Sequence, residues 1–450
     1  MGTFSIQKGR NIRLKGAAKK EIKEIAFPRH VAVQPSDFKG LRPRLSVKVD
    51  DVVKVGTPVF TDKIIPEIQV ASSASGKVVA INRGAKRALQ SIVIETDGQQ
   101  EPETFQKFSY EQIKNISKSD VTKALLAGSL WPVIRQRPFS KVADPHKKPK
   151  AIFIHAMNTE PLAIDIDFIL EGKEREFQAG LDILGRLTDG DVNLCHQVGA
   201  SSKALTQAMR VKTHTFSGPH PAGNVSTHVH NVDPINKGEF IWYVEAQDVL
   251  RIASLFLNGT YPTERIVAVT GEGAGNNRIY AKTIVGVPVS AFLGDSSPDE
   301  VRYLSGSVLA GKEITSQDFL CFYDSQITII PQGGKRVFLG WLSLGFNKYT
   351  FSKTFASAFL PEKEVSLDTD ENGSHRAIVL NHIYDSLVPL DIMIYFLLKA
   401  VISGNVEEAE ELGILECAEE DFALCTFACP SKTDVGAIIG EGLALIESEE

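Results

Sequence analysis

The residues best equipped for chemistry lie near the C-terminal end. Cys425-Thr-Phe-Ala-Cys429-Pro430 has the C-x3-C-P ending of a run whose thiolates hold a four-iron cluster. The other two ligands would fall at 422 and 419, which are Phe422 and Glu419, and Cys417 is out of register. Two thiolates cannot hold four irons, so Cys425 and Cys429 read as a degenerate cluster remnant, although a C-x3-C pair on a helix is also a common coincidence. Four of the ten histidines, His214, His220, His228 and His230, crowd one short stretch. Such density can ligate zinc or copper, with His228-Val-His230 on one face of a strand. Pro219, Pro221 and Gly223 make it a shaped loop instead, and no cysteine or H-x-x-x-H completes a site. A structural or ligand-lining loop is expected, with no metal. Gly271-Glu-Gly-Ala-Gly275 is spaced G-x-G-x-G rather than G-x-G-x-x-G, and 276–282 has strand character. A tight turn is predicted, not a pyrophosphate site.

These residues belong to a chain of 450 residues with 43% hydrophobic and 23% charged side chains, too long for one core. That composition excludes a disordered chain, a collagen and a small disulfide scaffold. The most apolar stretch, 387–402, is short for a membrane span and carries Asp391 and Lys399. The first residues have no apolar signal region, and five cysteines, an odd number, fit a reducing cytoplasm. A soluble, multidomain, intracellular protein is expected. The formal net charge of −6 hides an asymmetry: residues 1–100 hold 18 basic and 9 acidic side chains. A basic N-terminal part on an acidic body suits phosphates, an anionic membrane or an acidic partner, or plain solvation.

Patterning divides the chain further. Short β-branched runs at 30–33, 45–49, 58–60, 69–70, 77–81 and 91–95 predict an all-β unit. Its Val-Gly-Thr-Pro-Val corner at 55–59 and small-residue turn at 71–76 resemble the barrel-sandwich fold of biotinyl and lipoyl domains. There a modified lysine sits on a hairpin, which draws attention to Lys63, yet the distance to Gly76 is long and a structural lysine is expected. A polar connection, a helix over 113–130 and a Pro/Lys-rich linker at 144–150 follow. Buried strands at 151–155 and 191–195 alternating with helices at 165–184 and 204–209 predict a parallel α/β unit over 150–257. Short strands return at 265–270, 283–285, 288–290 and 338–339, and the tail from 387 to 447 is helical. Eight carboxylates and no base between Glu407 and Asp421 predict a solvated face or a docking surface.

Long strings across nearly the whole chain resemble the A subunit of the bacterial sodium-translocating NADH:quinone oxidoreductase. They include Gly40-Leu-Arg-Pro43, Ala74-Ser-Gly-Lys-Val78, Gly128-Ser-Leu-Trp-Pro132, Arg135-Gln-Arg-Pro-Phe-Ser-Lys141, Phe216-Ser-Gly-Pro-His-Pro-Ala-Gly223 and Asp421-Phe-Ala-Leu-Cys425. The resemblance implies a peripheral subunit on the cytoplasmic face of the bacterial inner membrane. The complex has six subunits, passes electrons from NADH to ubiquinone and exports sodium. Flavins and iron–sulfur centres would lie in partner subunits, chiefly beside a quinone-handling membrane subunit, and no nucleic acid is involved. The implied fold is α+β and multidomain, similar to the NADH-binding subunit of respiratory complex I. Its expected parts are a barrel-sandwich domain (1–100), a connecting helix and linker (101–150) and a Rossmann-like α/β domain (151–257). A β-grasp-like domain (258–345) and an irregular segment with a C-terminal helical bundle (346–450) complete it.

In those relatives a glycine-rich loop cradles flavin and four cysteines hold a cluster. Here Leu130 and Trp131 would fill the loop and two cysteines are left, so no tightly bound redox cofactor is expected. A quinone pocket needs an apolar wall and donors for the carbonyl oxygens. Trp131 and Phe139 as wall, with Arg135, Arg137 and Lys141 as donors and Gly40, Leu41 and Arg42 nearby, are the expected quinone contacts; simple docking of a membrane subunit is the competing role. The isolated subunit is not expected to be catalytic. Two other classes stay open: a free-standing NADH–flavin oxidoreductase on the same fold, and a lipoyl or biotinyl carrier modified on Lys63.

Overall fold

The computed structural model describes residues 2–293, 300–334, 338–379 and 382–449. Near the N-terminus, His30–Val33, Leu89–Thr96, Gly76–Arg83 and Val52–Val53 form a four-stranded antiparallel sheet. A three-stranded sheet of Pro43–Leu45, Pro58–Asp62 and Gln69–Ala71 packs on it. Alternation along the strands sends Val31, Phe60, Val70, Val78, Ile92 and Ile94 into one buried core between the sheets. Lys63 stands exposed where the hairpin 58–71 turns, and buried Asp62 pins that turn by accepting from the amides of Arg42, Ile64 and Ile65.

The centre of the molecule is a seven-stranded sheet. Its order is Gly2–Ser5, Lys212–Ser217, Val192–Gln197, Ile152–Ala156, Ile241–Glu245, Arg135–Arg137, Lys141–Val142. The first five are parallel, and the last two are added by antiparallel pairings. Ile152–Ala156 and Ile241–Glu245, the two strands at its middle, read as nearly unbroken apolar runs because both faces are covered. Ile152, Ile154, Trp242 and Val244 face the helices Glu174–Leu184 and Ala246–Asn258, whereas Phe153, Ile241 and Tyr243 face the helix Val225–Val232.

A six-stranded sheet follows, ordered Lys312–Ile314, Val301–Ser305, Gln326–Pro331, Glu264–Thr270, Tyr280–Ile284, Ile22–Glu24. The glycine stretch at 271–275 is a turn, as its spacing predicts. Gly271, with φ of 94°, passes so close to Gly16 that a Cβ on Gly16 would lie 2.3 Å from the Gly271 carbonyl carbon. The helices Ile394–Ile402, Val406–Glu411, Ala423–Ala428 and Val435–Glu449 close the chain around Leu397, Leu398, Phe422, Leu424, Ile439 and Leu443.

Two short strands of the first 24 residues pair with other sheets: Gly2–Ser5 with Lys212–Ser217, and Ile22–Glu24 with Tyr280–Ile284. Several expectations are corrected. Part of 101–150 is no linker, since Arg135–Arg137 and Lys141–Val142 are strands of the central sheet. Residues 338–339 lie in a turn rather than a strand. His228 and His230 sit on a helix, not a strand. The β-branched residues of 225–232 favour a strand locally, but packing of Val225 and Val229 against the sheet overrides that preference.

Candidate functional site

Strand order reverses at Ile152–Ala156: Val192–Gln197 lies on one side and Ile241–Glu245 on the other. In doubly wound sheets, ligands bind outside the carboxyl ends of the strands at such a reversal. A cavity of about 250 Å³ opens there. His155, Met157 and Asn158 leave one strand, and Tyr243 and Glu245 end the other. The 306–310 and 323–326 loops of the six-stranded unit form the opposite wall, and Glu420 reaches in from the C-terminal helices. Three parts of the chain therefore share one space.

Its charges are tightly paired. His155 Nδ1 lies 2.7 Å from Glu245 Oε2, and its Nε2 lies 2.5 Å from the Gly223 carbonyl oxygen. Both partners can only accept, so both ring nitrogens donate and the imidazole is a cation. Burial works against that charge, but Glu245 outweighs it and the pKa is raised. Burial pushes Glu245 the opposite way, yet His155 and then Arg135 bring its carboxyl down to about 2. Arg135 Nη2 donates to Glu245 Oε1 at 2.9 Å. Its guanidinium carbon sits 4.5 Å from the ring centroids of both Tyr243 and Tyr323, an arginine clamped between two aromatic faces. Glu160 accepts from Ser307 Oγ at 2.7 Å, and Asp324 accepts from Ser305. Burial raises the pKa of both carboxyls. The lining thus holds two cations, Arg135 and His155, against four carboxyl groups, Glu160, Glu245, Asp324 and Glu420.

Gly223 must be small here, because a Cβ would come within 2.7 Å of the Thr159 amide nitrogen. Behind the cavity, Arg137 is 2% exposed and pairs with Glu420, leaving its Nε and Nη1 without a partner. Asp421 accepts from Asn224 Nδ2 at 2.9 Å and from the Ala418 amide at 2.8 Å. Burial and then Glu420 push its carboxyl up to about 6.

Of the eight expected quinone contacts, Arg135 alone lines this cavity. Trp131 is a core residue: it is fully buried, donates Nε1–H to the Ala143 carbonyl at 2.7 Å and meets Trp242 edge-on at 5.5 Å. Phe139 is buried in the C-terminal core. Lys141 pairs with Glu447 at 2.6 Å, over the Phe139 ring. Gly40 rests against the Lys141 stem, Leu41 packs on the barrel core, and the Arg42 side chain is exposed.

The histidines do not converge. His214 Nε2 meets Asn193 Oδ1 at 3.1 Å, and His220 Nδ1 meets Thr159 Oγ1 at 3.2 Å. His228 packs between Phe216 and His155, and His230 pairs with Glu416 at 2.7 Å. Cys425 lies on the helix Ala423–Ala428 and Cys429 caps it. Burial raises the Cys425 thiol; Cys429, although buried, is lowered because the Tyr384 hydroxyl, 2.9 Å away, donates to its sulfur.

Sequence reasoning missed His155, Glu160, Tyr243, Glu245, Tyr323 and Asp324. A signal existed for two of them: each is a charged residue closing an apolar strand, Ile-Phe-Ile-His155 and Ile-Trp-Tyr-Val-Glu245.

A doubly wound sheet with a cavity at its strand reversal, joined to a barrel-sandwich unit, defines a multidomain α+β protein. Residues 4–97 match the family model described as the NqrA N-terminal barrel-sandwich hybrid domain, and residues 116–261 match the NqrA second alpha/beta domain. The A subunits of the Na(+)-translocating NADH-quinone reductases of Alcanivorax borkumensis, Pasteurella multocida and Yersinia pseudotuberculosis are each 38% identical over 448 residues. Those alignments cover 99% of this chain and 100% of each relative. The chain belongs to the NqrA family, the A subunits of the Na(+)-translocating NADH-quinone reductase. A chain of an NAD+-reducing [NiFe]-hydrogenase aligns at 16% identity and a TM-score of 0.32, over 50% of this chain and 47% of that one, a likeness too slight to define a shared fold.

Proposed function

We propose that this chain, a subunit of the sodium-translocating NADH-quinone reductase complex, works at the quinone end as a peripheral subunit on the cytoplasmic face of the inner membrane. It holds no tightly bound flavin or iron–sulfur cluster, and its partners include a quinone-handling membrane subunit. The observation that carries this reading is the charge of the switch-point cavity. Four carboxyl groups against two cations repel a nucleotide phosphate but accept a neutral ring. Arg135, already stacked between Tyr243 and Tyr323, is the donor best placed to meet a carbonyl oxygen and to stabilise negative charge as it develops there. No helix among the described residues is long and apolar enough to cross a membrane, so a sodium path would run through partner subunits.

Within this reading, residues 258–345 serve as a β-grasp-like domain and the C-terminal helices as an iron–sulfur scaffold that keeps its shape around Cys425 and Cys429.

The test uses the assembled complex carrying Arg135→Gln. The KM for quinone is expected to rise about tenfold while NADH oxidation by an artificial acceptor is unchanged. An unchanged KM removes the cavity from the quinone reading. Stoichiometric flavin or iron in the purified subunit overturns the claim that it carries no redox group.

A further inference from the structure

From Phe338 to Leu360 the sequence has seven aromatic residues, two lysines (Lys348 and Lys353) and no carboxylate, in a protein where Asp and Glu make up 55 of 450 residues. This stretch contains no strand and only short 3-10 turns, Gly340–Leu342 and Ala356–Phe359. It is nevertheless shaped. The Ala356 amide donates to the Leu344 carbonyl at 2.9 Å, Lys348 Nζ to the Gly340 carbonyl at 2.6 Å, and Ser357 Oγ to the Lys348 carbonyl at 2.6 Å. Two limbs are thereby tied into one lobe. Its root is an aromatic seam in which Tyr349 and Phe351 meet Phe427 at tilted and edge-on angles and Arg10 lies over Phe351.

What the lobe displays runs against burial. Phe338 and Phe359 are 90% and 91% exposed, and Leu342, Leu344 and Phe346 are also more than half exposed. Single exposed apolar residues are ordinary, but five on one lobe mark an interaction surface. Its charge says which kind. The seam carries Arg10, the lobe carries Lys348 and an exposed Lys353, and no acidic side chain interrupts them before Glu362. Aromatic and leucine side chains flanked by lysines, with carboxylates excluded, suit the boundary between anionic headgroups and acyl chains. An irregular backbone can stay at headgroup depth, where water satisfies its polar groups, while the side chains dip inward.

We infer that the 338–360 lobe is a lipid-contact element, inserting Phe338, Leu344 and Phe359 into an anionic bilayer surface. This rests on the peripheral reading above and deepens it, by giving the chain its own hold on the bilayer in addition to any protein partner.

The test is flotation of the purified full chain with phosphatidylcholine vesicles, with and without phosphatidylglycerol. The chain is expected to float with the anionic vesicles. The triple variant Phe338→Ser/Leu344→Ser/Phe359→Ser is expected to lose at least about tenfold in bound fraction, and Lys353→Glu about fivefold. Phe359→Trp, at a position with room, supplies a second readout: its emission shifts to the blue on anionic vesicles. A wild-type chain that does not float, a triple variant that floats like wild type, or an unshifted emission each overturns the inference. Co-purification of the tagged chain with membrane subunits separates the two readings. If the triple variant loses those subunits and wild type ignores vesicles, the lobe docks on protein, and the peripheral reading stands without the lipid contact. If wild type neither floats nor co-purifies, both fall.

Discussion

The switch-point cavity and the 338–360 lobe invert the ordinary partition of side chains in opposite directions. The cavity draws His155, Arg135, Glu245, Glu160 and Asp324 into partly buried positions, whereas the lobe exposes phenylalanine and leucine. Each arrangement lowers stability relative to a plain core or a plain surface, and such departures collect where a molecule meets something else. They differ in their ties to the fold. The cavity's charges are knitted to three parts of the chain, so changing one disturbs all three. The lobe's exposed side chains touch little, so removing them leaves the fold as it was.

The largest effect is expected at Glu245. Glu245→Gln strands the His155 and Arg135 cations in a partly buried site and should lower unfolding free energy by about 3 kcal/mol or more in chemical denaturation. A drop under about 1 kcal/mol would show that water screens the cluster and that the contrast with the lobe is overdrawn.

Next comes His220, whose pKa burial lowers to about 4. It is neutral when folded and takes a proton when unfolded, so stability present above pH 6.5 is lost as pH falls toward 4. The loss is roughly 3 kcal/mol, and His220→Gln should flatten that part of the profile. His230 runs the other way. Its hydrogen bond to Glu416 raises its pKa against the effect of burial. Its contribution is full below pH 6.5 and disappears as pH rises through the elevated value. Because the pair is partly exposed, the difference between wild type and His230→Gln should stay within about 1 kcal/mol.

The smallest effect belongs to the lobe: Leu344→Ser should move the unfolding midpoint by no more than about 0.5 kcal/mol equivalent. A larger loss would mean that Leu344 packs in solution and that the lobe is part of the fold proper.

Much of the architecture was legible because its signals are local. The Val-Gly-Thr-Pro-Val corner and the small-residue turn at 71–76 announce the barrel-sandwich unit, and 151–155 is an apolar run too continuous for a one-sided sheet. The cavity was not legible because its contacts are long-range. His155 and Glu245 are 90 residues apart, and Arg137 and Glu420 are 283 apart. Arg135-Gln-Arg137 reads as a basic loop until Tyr243 is seen beside it in the sheet. Trp131 resembles a ligand wall in sequence because the basic run Arg135-Gln-Arg137 follows it closely, yet the three-residue turn Trp131–Val133 drives its ring into the core. The acidic stretch 407–421 is divided in the same way. Glu420 and Asp421 point inward to Arg137 and Asn224, whereas Glu419 reaches Lys39 across the surface.

The wall that Glu420 contributes has a thermodynamic consequence. A molecule filling the cavity would touch the parallel sheet, the six-stranded unit and the C-terminal helices together, so its affinity and the docking of those helices are linked quantities. Loosening the helices, by a substitution at Arg137 or by a partner pulling on them, would weaken ligand capture by the same factor that the ligand strengthens their docking. The cavity is in that sense a gauge of how firmly the chain is assembled.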